Sequence, residues 1–194
     1  MIPIENTLKT YLEAFNILDS MEIQAFLSLV EKKTIEKGGF FIKEGKICNE
    51  VAFITSGLLR SFYYSSTLEE VTYCFSFSNS FLAAYSSFIS GAATAENIEA
   101  LTEVEILSIS KASVIDLQES SQNWLKFFKV IAEQEYIKME KRIFLLQKET
   151  AERRYHDLME NQPDLLQKIP LNYLSSYLGI TQRHLSRIRK SFVY

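Results

Sequence analysis

Glycine is absent from 87 consecutive residues of this 194-residue chain, positions 92–178. Five of the six glycines precede that stretch, at 38, 39, 45, 57 and 91, and the sixth stands at 179. Prolines fall only at 3, 163 and 170. The glycine-bearing part is rich in β-branched and aromatic residues. In Val71-Thr-Tyr73-Cys-Phe75-Ser-Phe77 every second residue is apolar, the pattern of a strand with one buried face. Phe40-Phe41-Ile42, Val51-Ala-Phe53-Ile54, Leu58 to Tyr64 and Val104-Glu-Ile106-Leu107 read alike, with turn signals at Gly38-Gly39, Glu44-Gly45, Ser56-Gly57 and Ser65-Ser66. Short strands so punctuated predict a small antiparallel barrel or sandwich over roughly residues 33–110.

The glycine-free part predicts helix. Nothing between Asp116 and Thr150 is a helix breaker, and two apolar stripes run along it. One is Leu125, Phe128, Ala132, Tyr136, Met139, Ile143 and Leu146; the other is Val130, Ile137 and Phe144, one per heptad. A helix of roughly 50 Å is longer than one small domain covers, so a homodimer seam through Val130, Ile137 and Phe144 is expected. The alternative is one broad face buried within a monomer. Glu152 to Glu160 continues or restarts the helix, Asn161-Gln162-Pro163 breaks it, and a short piece at 164–168 leads to Pro170.

Composition excludes several classes. At 47% hydrophobic and 23% charged the chain is neither disordered nor fibrous. Two cysteines, Cys48 and Cys74, make no C-x-x-C pair, and neither His156 nor His184 has ligands at metal spacing, so no metal site is expected. No apolar run approaches a membrane span, and the N-terminus lacks a signal-peptide pattern, so a cytoplasmic location is expected. No nucleophile–base pair, P-loop or glycine-rich phosphate fingerprint is present, so neither an enzyme nor a cofactor is expected. The net charge of −3 is divided unevenly: residues 1–150 sum to −6 and residues 151–194 to +3.

The basic end carries the sharpest pattern. Residues 171–190 read Leu-Asn-Tyr-Leu-Ser-Ser-Tyr-Leu-Gly-Ile-Thr-Gln-Arg-His-Leu-Ser-Arg-Ile-Arg-Lys. Two helices meeting at a sharp turn need a small residue at their contact, a glycine corner and apolar inner faces. Ser175, Gly179, and Leu174, Leu178, Ile180, Leu185 and Ile188 supply them, the spacing of a helix-turn-helix. Thr181 is placed to cap the second helix. Its outward face is then Gln182, Arg183, Ser186, Arg187 and Lys190. Arg can bridge the O6/N7 edge of guanine, and Gln the N6/N7 edge of adenine. Arg189 and Lys190 suit phosphates, as do Tyr173 and Ser176 on the first helix. An ordinary helical hairpin with a solvated basic face is the bland alternative, and His184 reads as exposed beside the turn.

The order of parts resembles the Crp/Fnr superfamily of bacterial transcription regulators. Lys37-Gly-Gly-Phe-Phe-Ile-Lys-Glu-Gly45, Val51-Ala-Phe-Ile-Thr-Ser-Gly57 and Ile98 to Ile109 resemble its β-roll motifs. Glu152-Arg-Arg-Tyr155, Tyr177-Leu-Gly-Ile-Thr181 and Leu185-Ser-Arg-Ile-Arg189 look most like its short Bacteroidetes members. The resemblance implies an α+β chain. Residues 1–115 would form an N-terminal antiparallel β-roll, cyclic-nucleotide-binding-like, with N-terminal helices. Residues 116–150 would be a long dimerisation helix, and 151–194 an all-α helix-turn-helix domain. The partners implied are double-stranded DNA and a second copy of the chain; RNA polymerase and an unidentified small-molecule effector are further candidates, and no membrane is expected.

Departures from the family pattern qualify the effector. The Gly-Glu pair that meets a ribose falls on Ala84-Tyr85, and the Arg-Ser/Thr pair that grips a cyclic phosphate falls on Thr94-Ala95. No Lys or Arg lies between Arg60 and Lys111, while Glu96 and Glu99 sit close to the expected site. A buried phosphate needs a cation or several directed N–H groups, so cyclic AMP is not expected. Tyr85, Ser86, Ser87, Thr94 and Asn97 are the polar candidates for lining a different ligand's pocket. Only Ser191-Phe-Val-Tyr194 follow Lys190 here, too few for the family's β-hairpin wing. Two further readings stay open: a ligand-binding module working through the barrel, and a protein-interaction module without DNA binding.

Overall fold

The computed structural model describes residues 4–161, 163 and 168–191. The expected short piece at 164–168 lies, apart from Lys168, outside the described residues, as do 192–194 after the last helix. Two compact units divide the chain: Met1–Tyr63 with Cys74–Ala132, and Tyr64–Tyr73 with Glu133–Tyr194.

Helices α1 (Ile4–Glu13) and α2 (Ser20–Leu29) precede eight strands: β1 (Glu31–Ile35), β2 (Phe40–Ile42), β3 (Glu50–Ser56), β4 (Leu58–Tyr64), β5 (Glu70–Phe77), β6 (Ser80–Leu82), β7 (Asn97–Ala100) and β8 (Val104–Ser110), all in the first unit except the end of β4 at Tyr64 and the start of β5 at Glu70–Tyr73. Helix α3 (Tyr85–Ser90) lies between β6 and β7. The strands form two four-stranded sheets, ordered β1-β8-β3-β6 and β2-β7-β4-β5. Glu31 pairs with Ser108 and Ala52 with both Ser108 and Leu82 in the first; Phe40 pairs with Glu99 and Leu59 with Ala100 in the second. This is the antiparallel β-roll of the α+β reading. The alternation in β4 gave its bounds to the residue. In β5 it misleads: Thr72 is buried, while Val71, Tyr73 and Phe77 are half-buried.

Gly57 fixes the corner between β3 and β4. Its φ is 98°, and a Cβ there would run into the Glu103 carbonyl and lie 2.8 Å from Val104 Cα. Only glycine meets both conditions. Helix α2 starts on a reciprocal cap: Asp19 Oδ1 accepts the Met21 and Glu22 N–H groups at 2.8 Å, and Glu22 Oε2 accepts the Asp19 N–H at 2.9 Å.

The helix expected over 116–150 is two helices, α4 (Lys111–Ser120) and α5 (Gln122–Lys148), a correction with a local cause. Ser121 is extended, at φ −156° and ψ 139°, and its hydroxyl accepts the Asn123 N–H at 3.1 Å. The same hydroxyl donates to Glu22 Oε1, and Asn123 Nδ2 donates to Glu22 Oε2 at 3.1 Å. A serine that satisfies backbone and side-chain partners at once competes with the helix ladder and ends it. At 27 residues α5 is about 40 Å long, not 50 Å.

The first turns of α5 also pack differently from the two predicted stripes. Trp124 and Phe127, on neither stripe, are its buried residues. Trp124 stacks on Phe26 with centroids 5.2 Å apart, and Phe127 meets Phe15 edge-on at 5.2 Å. Both join one core with Leu8, Leu12, Phe53, Leu59, Ile98 and Leu107. Leu125 is exposed, and Phe128, Val130 and Ala132 are half-buried. Beyond them Tyr136, Ile137, Met139, Ile143, Phe144 and Leu146 are all exposed.

Helix α6 (Ala151–Asn161) restarts after α5. Helices α7 (Leu171–Leu178) and α8 (Gln182–Ser191) complete the second unit. Its buried residues include Tyr155, Leu158, Ile169, Leu174, Leu178, Leu185 and Ile188.

Candidate nucleic-acid interface

Helix α7 follows Pro170, whose ψ of 143° suits the residue before a helix, and it ends at Gly179. Gly179 has φ 67°, and the Ile180 N–H bonds the Ser175 carbonyl at 3.0 Å. A Cβ at 179 would touch only Leu146 Cδ2 at an ordinary 3.5 Å. The left-handed backbone, not crowding, therefore requires glycine here. Thr181 caps α8 as expected, its Oγ1 accepting the His184 N–H at 3.2 Å. Four of the five predicted inner residues are buried, with Ser175 at the helix contact; Ile180 is half-buried.

The outer face of α8 holds Thr181, Gln182, Arg183, Arg187, Arg189 and Lys190, all exposed, and Ser186, half-buried. Four cations thus stand on one short helix. On α7, Tyr173 is half-buried, and Ser176 is engaged by the chain itself: its Oγ accepts the Thr72 N–H at 2.9 Å and donates to the Glu70 carbonyl at 3.1 Å. His184 is not simply an exposed residue beside the turn, since its Nε2 lies 3.4 Å from Glu152 Oε1 on α6. The Glu152 carboxyl is held below the usual range by its own backbone N–H first, with smaller help from Thr150 and His184.

Two arginines that carried no role in the sequence reading build the frame of this unit. Arg142 on α5 donates to the Tyr177 carbonyl at 2.5 Å, and its guanidinium carbon lies 3.7 Å above the Tyr177 ring centre. Arg154 on α6 donates to the Leu146 and Glu149 carbonyls at 3.2 and 2.8 Å, closing the C-terminus of α5. Arg154 stood in the Glu152-Arg-Arg-Tyr155 motif, with no role attached. No local spacing pointed to Arg142.

The effector candidates do not converge. Ser87 accepts the Cys48 N–H at 2.9 Å and donates to the Ala92 carbonyl at 2.5 Å. Thr94 accepts the Glu96 N–H at 3.1 Å, and Asn97 Oδ1 accepts the Glu44 N–H at 3.1 Å. The Ser87 and Asn97 side chains, with the Thr94 backbone, hold the loops around α3 to the loop after β2. Tyr85 and Ser86 are exposed, Tyr85 stacking loosely on Phe88 at 6.4 Å. Arg60, the last cation before the long gap, is buried on β4 and donates to Glu99 Oε2 on β7 at 2.6 Å. Cys48 is buried, and desolvation pushes its thiol up. Among the described residues no group of three His, Cys, Asp or Glu side chains could hold a metal, and no helix is long and apolar enough to cross a membrane.

The arrangement defines a class: a β-roll, a long helix and a C-terminal helix-turn-helix with a basic outer face. Residues 32–121 match the cyclic nucleotide-binding domain family. FixK2 from Bradyrhizobium japonicum superposes with a TM-score of 0.73 at 18% identity, over 84% of this chain and 83% of that one. A Crp/Fnr-family protein from Eubacterium rectale gives 0.73 at 16%, over 94% and 87%. The c-di-GMP-responsive regulator CLP from Xanthomonas campestris gives 0.68 at 15%, over 90% and 91%. No curated protein sequence matches the chain. The fold of the chain is that of the Crp/Fnr-type structures it superposes on, and the family match falls on the β-roll and α4.

Proposed function

We propose that the chain is a dimeric, sequence-specific DNA-binding transcription regulator of Crp/Fnr type that does not respond to cyclic AMP. One observation carries the reading: Gln182, Arg183, Arg187, Arg189 and Lys190 stand exposed together on the second helix of a closed helix-turn-helix. The first turns of that helix present groups that can read base edges, and its end presents cations for the backbone. The apolar residues left exposed on α5, Ile137 and Phe144 among them, support a second copy as the dimer partner. RNA polymerase remains a candidate partner of such a regulator. Selection of bound duplexes from a random pool tests the whole reading. A symmetric consensus, with half-sites a helical turn apart, is the expected result; no enrichment would reject DNA binding.

Rejection of cyclic AMP rests on charge. The positions that would grip its phosphate are Thr94 and Ala95, and Arg60 already serves Glu99. An ionised phosphate placed there would be desolvated without a cation. The small-molecule reading keeps one supporting observation, an open groove of about 600 Å³ lined by Phe40, Phe41, Ile42, Lys43 and Lys46. None of Tyr85, Ser86, Ser87, Thr94 and Asn97 lines it, so a ligand there would use other residues. Mass spectrometry of the purified protein under native conditions tests for one.

A further inference from the structure

Strand β5 is the outermost strand of its sheet. An edge strand presents alternate N–H and C=O groups that need a partner. At residues 70–73, which belong to the second unit, the partner is a side chain of α7. Ser176 Oγ accepts the Thr72 N–H at 2.9 Å and donates to the Glu70 carbonyl at 3.1 Å, so one hydroxyl fills the place of a neighbouring strand. The turn before it is braced: Ser65 Oγ accepts the Thr67 and Glu69 N–H groups at 3.3 and 3.1 Å. Its tip leaves Glu69 and Glu70 exposed beside the first helix of the helix-turn-helix.

We propose that Ser176 is a latch that holds the β4–β5 hairpin tip against α7, and that duplex binding requires the latch to open. This rests on the DNA-binding reading above, in which Ser176 meets a phosphate. A hydroxyl has one hydrogen, and here it goes to the Glu70 carbonyl. A phosphate only accepts hydrogen bonds, so it competes for that same hydrogen. Two carboxylates on the tip add like-charge repulsion toward any duplex approaching α7. The latched form is therefore unable to use the Ser176 contact, and DNA affinity is reduced by the fraction of molecules that are latched.

Three measurements test this with a fluorescently labelled random-sequence duplex pool. In the free wild-type chain the Thr72 amide should be protected from hydrogen exchange, and Ser176→Ala should remove that protection. Saturating duplex should remove it in the wild type as well. Thr72→Pro deletes the edge N–H, at a position where an edge strand tolerates proline, and leaves the Ser176 hydroxyl intact. It also removes the buried Thr72 side chain, and Thr72→Val, which keeps the N–H, controls for that loss. Thr72→Pro should tighten binding about fivefold, the effect of losing one ordinary hydrogen bond from the latched form. Ser176→Ala should gain less, because it also loses the phosphate contact. Protection of Thr72 that persists in the duplex-bound wild type overturns the proposal even if Thr72→Pro fails to fold. So does unchanged or weaker binding by folded Thr72→Pro. If neither wild type nor variants bind duplex, the DNA-binding reading fails and the gating falls with it. Thr72 protection in the free chain would then still report the contact.

Discussion

The Arg142 guanidinium both stacks on the Tyr177 ring, 3.7 Å from its centre, and donates to the Tyr177 carbonyl at 2.5 Å. Tyr177 is in the last turn of α7, where carbonyls lack helical partners and the helix dipole favours a cation. A planar group does both tasks at once; an ammonium does not. Arg142→Lys should therefore cost about 1 kcal/mol, and Arg142→Ala about 2 kcal/mol, in the local stability of the helix-turn-helix. Hydrogen exchange at the Leu178 and Leu185 amides is the measurement. Equal exchange in wild type and Arg142→Ala would mean that the contact contributes nothing.

Glu22 predicts an acid-sensitive join between α2 and α5. Burial alone would raise its carboxyl, but hydrogen bonds from Ser121, the Asp19 N–H and Asn123 outweigh it and hold the group below its ordinary value. The unfolded chain then binds the proton more readily. The stabilisation is complete above the ordinary carboxylate value and is lost as pH falls through the lowered one. Glu22→Gln should lower stability at neutral pH by about 1–2 kcal/mol and flatten the decline as pH falls below the ordinary carboxylate range. Thermal melts across that range read both effects.

The exposed α5 residues predict association. Wild type should sediment as a dimer at micromolar concentration, and Ile137→Asp with Phe144→Asp should give monomers whose β-roll melting is unchanged. Neither side chain belongs to the roll core, so a lost roll transition would mark them as structural instead.

Arg183 and Arg187 should fail differently from Lys190. Replacing either arginine with Ala should cost about 1–3 kcal/mol on the selected operator and relax preference at one base pair. Lys190→Ala should weaken all sequences alike and flatten the salt dependence by roughly one unit per half-site. If both arginine variants lose equally on operator and random DNA, they hold phosphates, and Gln182, Ser186 or DNA shape must supply the specificity.

Cyclic AMP and cyclic GMP should give no saturable heat in calorimetry at low micromolar protein. A saturable isotherm would show that Arg60 leaves Glu99 for the ligand, or that Thr94 and Ala95 are not the phosphate positions.

What could be read from the chain alone was what is decided locally. Gly179, Thr181 and the spacing of Leu174, Leu178, Leu185 and Ile188 specify a helical corner within twenty residues, and the structure has it. The break at Ser121 was not legible. A serine within a helical pattern is tolerated unless something holds its side chain elsewhere, and here the holder is Glu22, 99 residues earlier. The buried face of α5 was missed for a similar reason: Phe15 and Phe26 on the N-terminal segments select Trp124 and Phe127, and no periodicity within α5 does so. Ser176 carried the right chemistry for a phosphate and an unforeseen partner, since residues 70 and 72 reach it from more than a hundred positions away. Ser87, Thr94 and Asn97 were read as pocket lining because they are polar and close in sequence; the hydroxyls of the first two and the Asn97 Oδ1 are taken by neighbouring loops, partners the sequence could not show.

The strand pairing that closes the roll also sets an order of events at the ribosome. β1 finds its partner in β8, Glu31 against Ser108, and β2 finds its own in β7, Phe40 against Glu99. Neither early strand has a neighbour until the end of the roll has been synthesised, and the corner at Gly57 closes only when Glu103 and Val104 arrive. Pairings so distant carry a large loop-closure cost and form slowly. The nascent chain therefore carries the apolar Phe40-Phe41-Ile42 strand without its partner until β7 has been made. During that interval the unpaired strand is exposed to aggregation, whereas α7 and α8, made last, meet within a few residues of each other.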